Sequence, residues 1–417
     1  MSRMLSLYNS PFDSTAVKLL KDRKAVLQTH QNMDEFGMGS HSQYSHDGAV
    51  ESMYRRGGIP LSPGGSSGGS AVAVAAGDCV AALGTDTGGS VRLPAAYTGI
   101  LGFKPSYGRI SRWGVIQYAN SLDTVGILGK EVDTVRRVFE VLDKYDAQDP
   151  TSLSESLRQR ISSGAIKRDT DKLRIGIPLE YNIAGLSPIV RQAWLAVLSV
   201  LEELGHTFHP ISLPSTRSAL SAYYVLAPAE ASSNLAKYDG IRYGHRTTNS
   251  DASPNAEPPL PLYAETRRSG FGEEVRRRIL LGAYTLSSEA MDNYFIQAQK
   301  VRRIVQDEFN AVFASPNPLV DAIGTAGEVD IILTPTAPTL PPTIEDLKLQ
   351  SAVDSYMNDV FTVPASLAGL PAMSVPTPLS PDLTEMMDET DVKSVGMQIV
   401  GQFGDDQLVL DAGEMLQ

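Results

Sequence analysis

The sequence predicts an α/β protein with a mixed central sheet covered by helices on both faces, built as one domain over residues 1–417. Three observations predict it. Strand-like and helix-like patterns alternate, most clearly over 173–178 (strand), 188–204 (helix closed by Gly205) and 206–213 (strand). The composition, 42% hydrophobic with 20% charged residues, is that of an ordinary globular chain. No internal repeat or low-complexity segment divides it, and no apolar run approaches the roughly 18 residues of a membrane span.

Taken in order, 14–24 has helical periodicity with Ser14 or Asp13 as N-cap, and 25–30 reads as a strand. Residues 32–39 form a loop carrying Met33, Phe36 and Met38. A glycine-serine core follows over 60–126. In it a short helix (70–77) lies behind one glycine loop, a buried strand (79–83) leads into a second, and 94–130 is rich in strands and turns. Residues 134–145 read as an amphipathic helix and 146–171 as a polar surface connection. Residues 215–238 are helical apart from Pro228, 249–261 is a proline-rich loop, and 275–313 is mostly helix. A strand over 329–335 precedes a helix over 354–367, a strand over 372–375, a final strand over 394–400 and a final helix over 405–416. Residues 315–328 and the acidic 377–393 read as surface insertions.

Net charge is −12 and the pI about 5.0, so the chain lacks the basic footprint of a nucleic-acid binder, although a partner subunit can supply one. A single cysteine, Cys79, excludes an internal disulfide framework. Six histidines without HExxH spacing argue against a zinc site. The opening eight residues are too short and soon too polar for a signal peptide, and match an arginine-rich transit peptide weakly.

The chemistry sits in Gly64-Gly-Ser-Ser-Gly-Gly-Ser70 and Gly84-Thr-Asp-Thr-Gly-Gly-Ser-Val-Arg92. Glycine at this density lets backbone N–H groups approach a ligand closely. Ser90, closing a turn after an apolar strand, is a candidate nucleophile. The N–H groups of Thr87, Gly88, Gly89 and Ser90 are the candidate oxyanion hole. The competing reading, a pair of flexible linkers, does not account for the apolar 71–76 between them. GxSxG and GxxxxGK[ST] are both absent, which argues against an α/β-hydrolase elbow and a phosphate-binding P-loop.

The paired loops, with Ser66 and Ser90 standing 24 positions apart, resemble the amidase signature family. The resemblance extends to Asn32–Ser40, Glu230–Gly244, Ser269–Ile279, 286–302, Asn358-Asp359 and Pro364–Pro371, nearly the whole chain. Within the family these stretches are most similar to the glutamine-hydrolysing subunits of tRNA-dependent amidotransferases. That resemblance implies an α/β/α fold. It implies Ser90 as acyl-ester nucleophile and Ser66, on a cis peptide, as the relay that passes the Ser90 proton to a lysine. It implies Arg278 on the glutamine α-carboxylate, with Arg277 the register alternative, Asp359 on the α-ammonium and Tyr223 lining the pocket. A bidentate Arg–carboxylate pair with an acid opposite the amine suits a free amino acid; the plain alternative for Arg278 is a solvated helix arginine.

No metal or cofactor is implied in this subunit. The resemblance places ATP and Mg in a partner B subunit, which with a small third subunit would convert Glu-tRNA(Gln) to Gln-tRNA(Gln). The family's catalytic lysine falls further upstream of the first loop than the 65 residues that precede Ser66 here. Lys18, Lys21 and Lys24 read as solvated charges and Lys104 as structural, so an incomplete N-terminus is the expectation. The insertions imply a mitochondrial protein over a bacterial one. Two other readings remain: a stand-alone amidase on another small amide, and a non-catalytic scaffold motivated by the absent lysine.

Overall fold

A computed structural model describes all residues except 165–169, 248–261, 321–326, 386 and 388. Its centre is one eight-stranded sheet. In chain order the strands are β1 (Ala81–Asp86), β2 (Leu101–Lys104), β3 (Thr124–Gly129), β4 (Arg174–Pro178), β5 (Thr207–Ile211), β6 (Ile331–Pro335), β7 (Ala372–Pro378) and β8 (Ser394–Val400). Across the sheet they run β1-β3-β2-β7-β8-β6-β4-β5. Only the β6–β4 and β4–β5 pairs are parallel; every other neighbour is antiparallel, so the sheet is mixed.

The helices that cover it are α1 (Gly68–Ala76), α2 (Arg92–Thr98), α3 (Val132–Leu142), α4 (Pro188–Glu203), α5 (Thr216–Asn234), α6 (Glu273–Thr285), α7 (Phe295–Val312), α8 (Ala352–Met357), α9 (Val363–Ala368) and α10 (Asp406–Leu416). Alternation along β8 decides which face each meets. Val395, Met397 and Ile399 join Phe103, Ile127, Leu333 and Val375 in a core closed by α3, α4 and α10. A second core gathers α5, α6, α7 and α9 around Leu226, Val275, Val305, Phe309 and Leu367. Beside it, α2 lies close on the sheet because Gly102 and Gly396 carry no side chain. A Cβ at either would fall 2.5 Å from Ala95 Cβ or 2.4 Å from Ala96 Cβ. That close seat fixes the start of α2, and with it the turn before Arg92.

Most expected elements appear within a few residues. Several differ. Residues 25–30 form no strand and are exposed, and no strand among the described residues pairs with them. The strand after Cys79 starts at Ala81 and is a half-buried sheet edge, and Cys79 itself is half-exposed. The segment after Ser90 opens with α2, and the connection after 146 contains a helix over Glu155–Gly164. Helix α5 runs through Pro228 without ending. The helix expected over 354–367 is split into α8 and α9, with Pro364 in the first turn of α9. The acidic segment 377–393 begins as the end of β7 and includes a short helix over Pro381–Glu385. The proline-rich loop at 249–261, and part of 315–328, lie outside the described residues.

Candidate active site

The two glycine-serine loops are knitted to each other. The Ser67 N–H donates to the Ser90 carbonyl at 3.1 Å, and the peptide Gly65–Ser66 is cis. Asp34 anchors the first loop. It is fully buried, its backbone N–H donates to Ser66 O at 3.1 Å, and its carboxylate accepts the N–H groups of Ser42 and Tyr44, each at 2.8 Å. Burial outweighs those bonds and raises its pKa to about 7. Ser42 Oγ donates toward the carbonyls of Gly64 and Ser66 and accepts the Gly68 N–H. Ser66 is fully buried, and its Oγ has no hydrogen-bond partner among the described residues.

The second loop hangs on a buried ion pair. Arg92 and Asp86, both without exposed surface, form a two-pronged bridge at 3.0 and 2.8 Å. Asp86 also accepts the Val91 N–H at 3.2 Å. Arg92 reaches further to Gln398, Ser366 and the Thr362 carbonyl, which locks the turn onto β8 and α9. Two glycines in the turn are required by their surroundings. A Cβ on Gly88 would lie 2.7 Å from the Tyr223 ring, and one on Gly89 (φ +147°) 2.2 Å from Thr362 Oγ1. Among the described residues, no acceptor takes the N–H groups of Thr87, Gly88, Gly89 or Ser90. They are available to an incoming oxyanion.

Next to these loops lies a cage of rings and charges. Arg278, on α6, is 2% exposed. Its Nε donates to Glu274 at 2.8 Å and its Nη1 to the Tyr118 hydroxyl at 2.7 Å, while Nη2 is buried with no partner among the described residues. The guanidinium lies over the rings of Tyr118, Tyr224 and Tyr356. Arg277 instead stands at the surface, paired with Glu273 and Glu274. Of the two registers, only Arg278 points inward.

Asp359 sits in the break between α8 and α9. One oxygen accepts from Ser40 at 2.7 Å and from the Tyr224 hydroxyl at 3.3 Å. Burial raises its pKa to about 7, against the pull of Arg278 and Ser40. Tyr224, stacked on Tyr356 at 3.9 Å, thus touches the arginine with its ring and the acid with its hydroxyl. Tyr223 sits between Gly88 and the cage. The structure therefore gathers Ser66, the 87–90 turn, Tyr223, Arg278 and Asp359 in one region.

Of the lysines, Lys21 pairs with Asp13 at the surface. Lys104 is buried and donates to the carbonyls of Pro105 and Leu370, and burial lowers its pKa to about 7. Neither bonds to Ser66. Sequence reasoning missed Asp34, Ser40, Tyr118, Asp123, Tyr224, Glu274 and Tyr356. Only the acid placed among glycines at 34, and the tyrosine next to Tyr223, carried a visible signal.

A serine-rich pair of glycine loops beside a cationic clamp defines a class of amide-cleaving enzyme, and comparison with known proteins agrees. The chain belongs to the amidase family, whose model matches residues 2–410. It is 56% identical over 436 residues to the mitochondrial glutamyl-tRNA(Gln) amidotransferase A subunit of Emericella nidulans, covering 100% of this chain and 85% of that protein. It is 54% identical over 446 residues to the protein of the same name in Ajellomyces capsulatus, with coverage of 100% and 85%. Among solved structures it is similar to the glutamyl-tRNA(Gln) amidotransferase A subunit of Thermotoga maritima, at 34% identity and a TM-score of 0.72, covering 99% of this chain and 77% of that one.

Proposed function

We propose that this chain is the A subunit of a mitochondrial glutamyl-tRNA(Gln) amidotransferase, the component that hydrolyses glutamine and releases ammonia for transamidation. Relatives of that name match the whole chain at more than half identity, which supports the role and the compartment. The observation that carries the substrate is the clamp. The unpartnered Nη2 of Arg278 and the acid of Asp359 flank the Tyr224 ring, so they suit the carboxylate and ammonium ends of one free amino acid.

In this reading Ser90 Oγ attacks the side-chain amide carbon of glutamine. The N–H groups of residues 87–90 take the charge that develops on the carbonyl oxygen. Ser66, whose hydroxyl has no partner among the described residues, relays the Ser90 proton, and ammonia leaves as the amine is protonated. Water then cleaves the γ-glutamyl ester to give glutamate. The chain works as one subunit of a complex, with a B subunit that uses ATP and Mg to activate Glu-tRNA(Gln), and a small third subunit. Nothing in the described residues groups as a metal site.

Quenching the full-length protein with glutamine and mapping peptides by mass spectrometry tests this. A γ-glutamyl ester on Ser90, abolished by Ser90→Ala, is expected together with glutamate release. Turnover of simple amides in preference to glutamine would overturn it.

A further inference from the structure

Asp123 is a buried carboxylate that the reaction as described does not use. It lies just before β3, is 5% exposed, and spends its two oxygens on two different parts of the site. Oδ1 accepts the Thr87 hydroxyl at 2.8 Å, at the first residue of the oxyanion turn. Oδ2 accepts the backbone N–H groups of Tyr118 and Ala119 at 2.9 and 3.0 Å, with Arg112 4.0 Å away. Tyr118 in turn holds Arg278 through its hydroxyl, and its ring is 3.9 Å from the Cβ position of Gly37, which stands 3.7 Å from Ser66 Oγ. One side chain therefore ties the turn that would hold the oxyanion to the tyrosine that aims the arginine.

We infer that Asp123 is a positioning residue that fixes the oxyanion turn relative to the carboxylate clamp, so that a glutamine held by its α-carboxylate presents its side-chain carbonyl in register with residues 87–90. The geometry explains why a carboxylate stands here. Three donors converge on it from two segments, and a carboxylate is the side chain that accepts all of them without offering a competing donor. A neutral amide still spans the gap if its oxygen faces Tyr118 and Ala119 and its NH2 faces the Thr87 hydroxyl, whereas alanine spans nothing. Thr87 contributes its N–H to the proposed oxyanion hole. Its hydroxyl is a separate handle, and removing it severs only that end of the bridge.

The inference rests on the reading of Ser90 and the 87–90 turn given above. Two measurements on the full-length protein separate the readings. The first is steady-state glutaminase kinetics. The second is the rate at which a fluorophosphonate labels Ser90, with loss of fluoride; it needs the oxyanion turn but not the amino-acid clamp. Thr87→Val, nearly isosteric, is expected to lower kcat about tenfold or more, less than the roughly 10²–10³ that loss of an oxyanion donor costs. It should slow labelling to a similar extent and leave KM within twofold.

Tyr118→Phe keeps the backbone N–H on Asp123 and removes only the hydroxyl that holds Arg278, so it raises KM with kcat little changed. Asp123→Ala moves both, and Asp123→Asn recovers most of the kcat. Wild-type rates of turnover and labelling in Thr87→Val overturn the inference even if Asp123→Ala fails to fold. Normal labelling of the wild type without glutamine turnover overturns the substrate and leaves the labelling arm to decide on Asp123. No labelling of Ser90 in the wild type overturns both.

Discussion

Asp359 and Arg278 bear opposite charges in a site walled by tyrosines, and each responds differently to change. Asp359 ionises only near pH 7 because it is buried, and an α-ammonium binds its ionised form. As pH falls through about 7 the acid takes up a proton and loses that attraction, so KM for glutamine rises, toward a limit of about tenfold per pH unit. Asp34 titrates in the same range and feels the charges of Arg278 and Glu274, but its oxygens bond the Ser42 and Tyr44 backbone and it makes no hydrogen bond to the clamp. KM measured against pH in wild type and Asp359→Asn separates them: the variant starts with a higher KM and shows no slope. Arg278→Lys replaces a fork fixed by Glu274 and Tyr118 with a point charge. KM should rise about a hundredfold while the melting temperature moves little, which a titration of initial rates checks.

At the scale of elements, α5 and α6 cross where Gly282 meets Pro228. A Cβ at Gly282 would lie 2.0 Å from the Pro228 carbonyl oxygen, a backbone atom that has nowhere to retreat. Gly282→Ala therefore pushes α6 away from α5, and Arg278 stands one turn earlier on the same helix. Overpacking of this kind costs about 1–3 kcal/mol. The expected result is a lower melting temperature together with a raised KM, read from thermal unfolding and kinetics of the same preparation.

This crossing also marks where the sequence stops being legible. The 3.6-residue pattern of 188–204, the cap at Ser14 and the apolar strand after residue 329 are local signals, and each element formed there. The Ser66–Ser90 spacing carried the two loops. The break that puts Asp359 into the site falls in a stretch that reads as continuous helix over 354–367, although Pro364 in the first turn of α9 is a local sign that a helix starts there. What seats α9 is its packing on α5 and α7, which the sequence does not show. The residues of the cage meet only in three dimensions: Tyr118, Tyr224, Glu274 and Tyr356 come from four separate segments. Asp123 lay in a stretch read only as strands and turns, and its three donors, Thr87, Tyr118 and Ala119, are 36, 5 and 4 positions away in the chain.

For the whole molecule, the buried charges decide how stability follows pH. Asp34 and Asp359 have pKa values raised to about 7 and Asp123 to about 6, each chiefly by burial. Between about pH 4 and 7 the native state binds more protons at these groups than the unfolded chain does, so their contribution to stability grows on acidification and shrinks as pH rises. His41 opposes them. Burial lowers its pKa to about 4, so it stabilises as pH rises from about 4 to 6.5. At about 1.4 kcal/mol per pKa unit, three acids raised by two to three units outweigh one histidine lowered by a similar amount.

Above neutrality the acids are spent and Lys104 takes over. Its pKa is lowered to about 7, so the unfolded chain holds more protons there and stability rises with pH up to the lysine's ordinary value. Asp86, held ionised by Arg92, and Glu274, held by Arg278, contribute stability that is present above the ordinary carboxylate range and lost only on acidification below it. The sum places a shallow minimum in stability near pH 7, with higher melting temperatures at pH 5.5 and pH 9. Glutamine raises the melting temperature most at and above pH 7, where Asp359 is ionised. Melting curves at pH 5.5, 7 and 9, with and without glutamine, check both. A melting temperature that peaks at pH 7 would show that the buried aspartates are ionised in the native state.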